Sequence, residues 1–463
     1  KDLRSVAVIG PAADTVSYGD YTETRGRKGG VSVLDGIRAA VSPETEVLYE
    51  RGCNFLGQAL HPFDPSMLRD ENGESGLTGH YYNGPVPQGE PVQVRTDRTV
   101  NFNWIFALPH PALDANCFSV VWTGSVVMPR TMDGCIGLST QDSMRLYVDD
   151  KLLIDGWGKD KSADQALDFH FEAGRTYKIR IEFVNDRRGA RVIFGYSAGR
   201  ENFPAAVEAA RKADVAILCM GDNEETSGEN FDRTDLNLPG RQLELVQAVY
   251  ATGTPVVLVL QSGRPVTANW ENDHLPAILE AWFPGEQGGT AIAKTLFGDA
   301  APGGRLPITF PRSVGQIPCH YSRRPGGGKR YVEMDWLPLY PFGYGLTYTT
   351  FAYRDMALSR SVIDPQDTVT VSVTVTNTGK YTVPQLYVRD MFSSVVKPER
   401  QLAAFRRLTL APGESRRVEL TVGPKQLRTL GPDYVWRVEP GKFELQLGDN
   451  AENILLRADL TVE

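Results

Sequence analysis

Carboxylates crowd one stretch of the chain, Gly221-Asp222-Asn223-Glu224-Glu225-Thr226-Ser227-Gly228-Glu229-Asn230-Phe231-Asp232-Arg233, directly after the apolar run Asp214 to Met220. A glutamate among apolar or acidic neighbours can keep its proton near neutral pH and hand it to a leaving oxygen. Glycoside hydrolysis uses such an acid with a second carboxylate, about 5–5.5 Å away when the stereochemistry is retained. A solvated acidic loop would have the same composition, so its place in the fold has to separate the two readings. The neighbouring Asp232 and Arg233 are expected to shape the loop by charge-assisted hydrogen bonding rather than to react, because a guanidinium cannot act as an acid here.

The elements around this loop alternate. Ser5 to Ile9 is a continuous apolar strand stopped by Gly10 and Pro11. Leu34, Ile37, Ala40 and Val41 then fall at helical spacing, and Glu46 to Tyr49 reads as another strand. The rhythm returns as a helix over Phe203 to Ala213, a strand over Asp214 to Met220, a helix over Arg241 to Ala251 and a strand over Pro255 to Leu260. A strand from Ala277 to Trp282 and a helix from Gln287 to Phe297 come next, which predicts an open α/β sheet of largely parallel strands. In such a sheet ligands bind at the loops leaving the carboxyl ends of the strands, where the acidic stretch lies. Gly10 is followed by Pro11-Ala12-Ala13 without a G-x-G-x-x-G pattern, which argues against a dinucleotide site.

Residues 76–198 interrupt this sheet with period-two alternation, as in Tyr177-Lys178-Ile179-Arg180-Ile181-Glu182-Phe183, the pattern of half-buried β-sandwich strands. The alternation returns after Phe351, in Thr368 to Val375 and Gly441 to Leu447. The fold class expected is therefore multidomain α/β plus all-β. Residues 1–75 and 199–300 form a discontinuous open α/β sandwich, 76–198 an inserted β-sandwich, and 351–463 a terminal sandwich, which through Gln385 to Val388 and Leu410 to Ser415 resembles a fibronectin type III-like domain. The Gly/Pro-rich residues 301–350 resemble a linker but carry enough aromatics to pack against a neighbour.

The 463 residues allow two to four domains at roughly 100–200 residues each. With 49 Lys and Arg against 57 Asp and Glu the formal charge is −8, which excludes a phosphate-tracking nucleic-acid binder and a polybasic membrane anchor. No apolar run approaches the roughly 18–20 residues needed to span a bilayer. Cys53, Cys117, Cys135, Cys219 and Cys319 lack metal-site spacing, and the aspartates lack that of an EF-hand.

The order of S-G-E-N-F-D-R at Ser227 to Arg233, L-N-L-P-G at Leu236 to Gly240, A-P-G-G-R-L-P-I-T-F-P at Ala301 to Pro311 and P-L-Y-P-F-G-Y-G-L-T-Y at Pro338 to Tyr348 resembles glycoside hydrolase family 3, and best its β-glucosidases. The resemblance implies that Glu229 is the general acid/base, with Glu225 the alternative if the register shifts. Ser227, Gly228, Asp232 and Arg233 would support the loop, and Asn230 stands where the family usually has Gly. The insertion, through Ser139 to Trp157, resembles a protective-antigen-type sandwich. Its Trp104, Trp122 and Trp157 read as core aromatics, and its Lys159 to Gln165 loop as the segment placed to touch substrate. Family members carry a (β/α)8 barrel with the nucleophilic Asp ahead of these domains. Asp335-Trp336 imitates the nucleophile motif out of place and reads as a decoy.

The resemblance thus implies a retaining exo-acting β-glycosidase, a β-glucosidase before a β-xylosidase or another exo-glycosidase. Its substrate would be an oligosaccharide or aryl β-glucoside. No metal or organic cofactor is implied, and a barrel would lie on a separate polypeptide or a missing segment. Secreted or periplasmic residence fits a polysaccharide-degrading enzyme. A non-catalytic carbohydrate-binding or scaffold protein is the rival of a different class.

Overall fold

The computed structural model describes residues 3–19, 22, 29–55, 60–104, 108–140, 142–157, 165–185, 191–198, 203–223, 226–229, 231–326, 330–377 and 381–463. Residues 1–49, 209–239 and 249–463 form one compact unit, and 50–208 with 240–248 another.

In the first unit the apolar runs become a sheet. Strands β1 (Ser5–Ile9), β2 (Glu46–Glu50), β3 (Val215–Gly221), β4 (Val256–Gln261) and β5 (Ala277–Glu280) lie in the order β5-β4-β3-β1-β2. The pairs β1/β3, β3/β4 and β4/β5 are all parallel. Every residue of β1, and Ala216 to Gly221 of β3, is buried, as covered faces on both sides require. The helices along this part of the chain are α1 (Val33–Ala40), α2 (Phe203–Lys212), α3 (Gln242–Tyr250), α4 (Asn269–His274) and α5 (Gly288–Leu296). Ser32 caps α1, its hydroxyl accepting the Asp35 backbone N–H at 3.1 Å. Because β1 is flanked in space by β2 on one side and by β3 on the other, the chain reverses its direction of travel across the sheet beside β3. Such a switch opens a crevice at the strands' carboxyl ends.

The insertion is a two-sheet sandwich. One sheet runs Lys151–Asp155, Ser143–Val148, Thr176–Asn185, Phe118–Val127, Leu77–Asn83 and Gln93–Asp97; the other runs Gln165–Phe171, Met132–Thr140, Arg191–Ala198 and His61–Pro62. It takes in residues ahead of 76, since His61–Pro62 and Leu68–Arg69 pair with its strands. The reason is that Phe63 and Leu68 bury their side chains in its core. Two-residue strands are too short to show the alternation that marked the rest. Trp122 is fully buried, Trp104 packs against the same core, and Trp157 lies under the Arg145 guanidinium, 4.8 Å from its ring centre.

Beyond Phe351 two sheets enclose a core of Val369, Val371, Val373, Val375, Leu386, Leu445 and their neighbours. Val369–Asn377 alternates buried and half-buried residues without a break, as its sequence requires. The residues between are no free linker: Phe310 is buried and pairs with Tyr340, Asn269 Nδ2 donates to the Arg312 carbonyl at 2.7 Å, and Gln385 Nε2 donates to the Gly343 carbonyl at 2.9 Å.

Candidate active site

The acidic loop leaves the carboxyl end of β3, at the switch in strand order. Its first step is a glycine for a geometric reason: Gly221 has φ +139°, and a Cβ there would lie 1.9 Å from the Gln261 carbonyl oxygen. That close approach lets the Asp222 N–H donate to the same oxygen at 2.8 Å, carrying the sheet's hydrogen bonding one residue into the loop.

Asp222 is buried and anchors the rest of the loop. Its Oδ1 accepts the Thr226 hydroxyl at 3.0 Å and Arg233 Nη1 at 3.3 Å, while Oδ2 faces Arg264 Nε at 3.7 Å. Thr226 is itself buried, and its hydroxyl oxygen accepts the Asn223 N–H at 3.0 Å. Arg264 Nη2 also donates to the Thr226 carbonyl at 3.2 Å, and Arg233 Nη2 to the Asn237 carbonyl at 2.9 Å. Burial pushes the Asp222 carboxyl up; the Thr226 hydroxyl and then the two guanidiniums pull it back.

Glu229 stands exposed on this loop, beyond the anchored turn, with Ser227 and Gly228 half-buried before it. Asp232 is exposed. Among the described residues Arg233 meets Asp222, the Asn237 carbonyl and Asp235 at 3.6 Å. The alternative acid Glu225, and Asn230, lie outside the described residues, as do residues 158–164 of the loop expected to touch substrate. Asp335 accepts the Leu337 N–H at 3.0 Å, holding a local turn.

Sequence reasoning missed three residues here, two that hold the loop and one buried carboxylate. Asp222 was one carboxylate among several, Arg264 stood outside the motif after β4, and Glu280 ended what read as an apolar strand. Glu280 is the one with a visible signal, a carboxylate closing the run Ala277-Ile278-Leu279. Burial lifts it from 4.5 to about 8, against the Trp282 backbone N–H and with the Asp222 charge adding to the rise. Among the described residues no group of His, Cys, Asp and Glu is arranged to hold a metal ion, and no helix is long and apolar enough to cross a membrane.

Residues 1–348 match the model of the glycosyl hydrolase family 3 C-terminal domain, and residues 382–451 that of the fibronectin type III-like domain. A β-xylosidase of Formosa agariphila is 44% identical over 62% of this chain and 42% of its own length. A β-glucosidase of Rhizobium radiobacter is 34% identical over 99% of this chain and 59% of its own length. The crystal structure of the Kluyveromyces marxianus β-glucosidase in complex with glucose superposes with a TM-score of 0.72 at 27% identity, covering 99% of this chain and 59% of that one. The chain therefore spans less than two thirds of the length of these relatives.

Proposed function

Because this chain belongs to glycosyl hydrolase family 3, we propose that it supplies the general acid/base of a retaining exo-acting β-glycosidase, a β-glucosidase, with the nucleophilic carboxylate coming from a (β/α)8 barrel outside these residues. The supporting observation is the placement of Glu229, held clear of the β3 end by a turn whose root, Asp222, is tied to Arg233, Arg264 and Thr226.

In the first step the barrel carboxylate attacks the anomeric carbon while Glu229, protonated, gives its proton to the departing glycosidic oxygen. The products are a glycosyl-enzyme ester, a free alcohol or phenol, and Glu229 as carboxylate. In the second step that carboxylate takes a proton from water as the water oxygen attacks the same carbon, displacing the barrel carboxylate and restoring the acid. The anchored root of the loop contributes pre-organisation: it fixes the direction in which Glu229 projects before substrate arrives. No metal enters either step. Secretion or periplasmic residence, and a protective-antigen-type assignment of the insertion, belong to the same proposal.

The test is Glu229→Gln in the enzyme assembled with its barrel. For β-glucosides with poor leaving groups kcat/KM should fall by about 10²–10⁴. Activated aryl glucosides, which need no proton, should lose far less of it. Equal losses on both would remove Glu229 from the acid role. The 44% identical relative named β-xylosidase favours β-xylosides as the second reading, and aryl β-xylosides run beside aryl β-glucosides decide between them.

A further inference from the structure

Glu280 ends β5, and the parallel register fixes its surroundings. Met220, Leu260 and Glu280 share one row across β3, β4 and β5, and Asp222 comes two residues after Met220, just past the end of β3, where its charge adds to the rise of the Glu280 carboxyl. Glu280 Oε1 accepts the Trp282 N–H at 2.9 Å, closing a turn in which Trp282 has φ +53°. Its Oε2 is sealed from solvent and has no hydrogen-bond partner among the described residues. The turn it closes backs onto the catalytic loop through Gly263. A Cβ on Gly263 would sit 2.7 Å from the Phe283 ring and 3.1 Å from the Ser227 hydroxyl, so ring, backbone and loop are stacked without slack.

We propose that Glu280 is a positioning residue for the loop that carries Glu229: as the neutral acid it leaves Asp222 unopposed beside Arg233 and Arg264, and as the anion it repels Asp222 and loosens the loop. Asp222 already uses both oxygens on those arginines and Thr226. A second negative charge beside it, without a cation of its own, would compete for the same partners in a medium that screens poorly. Among the described residues the cations that face Asp222 are Arg233 from the far end of the loop and Arg264 after β4. Burial pushes the Cys219 thiol up, away from neutral pH, and raises the Glu280 carboxyl to about 8.

This inference rests on the proposed acid/base role of the loop for its meaning in catalysis, but its test needs neither substrate nor nucleophile. Amide hydrogen exchange in this chain, corrected for the intrinsic pH dependence of exchange, is followed at Thr226, Ser227 and Phe231 and at Val257 to Leu260 of β4. Loop protection in the wild type should fall about tenfold between pH 7 and 9 while β4 holds, and Glu280→Gln should keep the loop protected throughout. Equal loss in wild type and variant overturns the proposal.

A second measurement avoids the variant altogether. With glutamate carboxyls labelled with ¹³C in the wild type, one carboxyl should titrate near pH 8, together with the loss of loop protection. If all titrate below about pH 6, as unperturbed glutamates do, the proposal is wrong. Glu229 variants can behave as acid/base mutants whichever way these experiments fall, so the two readings fail separately.

Discussion

Replacing Glu280 by Gln should stabilise this protein, by an amount that grows with pH. The fold raises the carboxyl from 4.5 to about 8. Between those values the native chain holds a proton that the unfolded chain has released, so native stability falls as pH rises through this window and is level on either side of it. Each pH unit costs about 1.4 kcal/mol. From 4.5 to 7 is two and a half units, hence about 3 kcal/mol. Glutamine keeps the acceptor for the Trp282 N–H, places an N–H where the acid has its O–H, and has no proton to gain. The residue as a whole is only partly buried, but the sealed Oε2 places the carboxyl itself in the desolvated environment that the magnitude assumes. Calorimetric melts of both proteins at pH 4.5, 6, 7 and 8.5 provide the assay. The melting temperatures should coincide at the lowest pH, diverge in favour of Gln up to about pH 8, and stay apart above it. A difference that does not change with pH, or a variant less stable throughout, would refute the reasoning that Glu280 is carried as a neutral acid.

Substitutions at three other positions test the architecture. Arg233→Met leaves the buried Asp222 with Thr226 and Arg264 alone and should cost about 2–4 kcal/mol in urea unfolding of the unit that contains β3. Arg233→Lys should recover part of this, because an ammonium cannot reach both Asp222 and the Asn237 carbonyl as the guanidinium fork does. Gly221→Ala puts a Cβ against the Gln261 carbonyl in a left-handed conformation and should destabilise by about 2 kcal/mol or more, seen as a lower urea midpoint. In the insertion, buried Asp97 accepts from the Tyr81 hydroxyl, Trp122 Nε1 at 2.8 Å and Arg95 Nε at 2.7 Å. Asp97→Ala strands these donors and should cost about 3–5 kcal/mol, read from the near-ultraviolet dichroism of Trp122 during unfolding.

The sheet and both sandwiches were legible wherever one residue's environment repeats at a fixed period. Val369 to Val375 can bury its valines only as a strand, and Val6 to Ile9 only as a strand covered on both faces. The limits of the insertion were not legible, because Phe63 and Leu68 belong to its core through contacts made far along the chain. The turn at Trp282 was also missed. The apolar run from Ala277 continues through it in sequence, but the backbone leaves the strand at Glu280.

The candidate site divides along the same line. Glu229 stands in a contiguous motif, and the strand before it places that motif at a sheet end, so a local reading sufficed. The groups that hold the loop are assembled from the ends of separate strands: Asp222 from β3 and Arg264 from beyond β4. Arg233 reaches the carboxylate eleven positions back, a partner that no local motif marks. Asp222 attracts it because a buried carboxylate without a cation would be far more costly than an exposed one. A carboxylate beside an apolar strand end is therefore itself a sequence signal. It must be paired by cations from elsewhere in the chain, as Asp222 is, or hold its proton, as burial and the sealed, unpartnered Oε2 favour for Glu280.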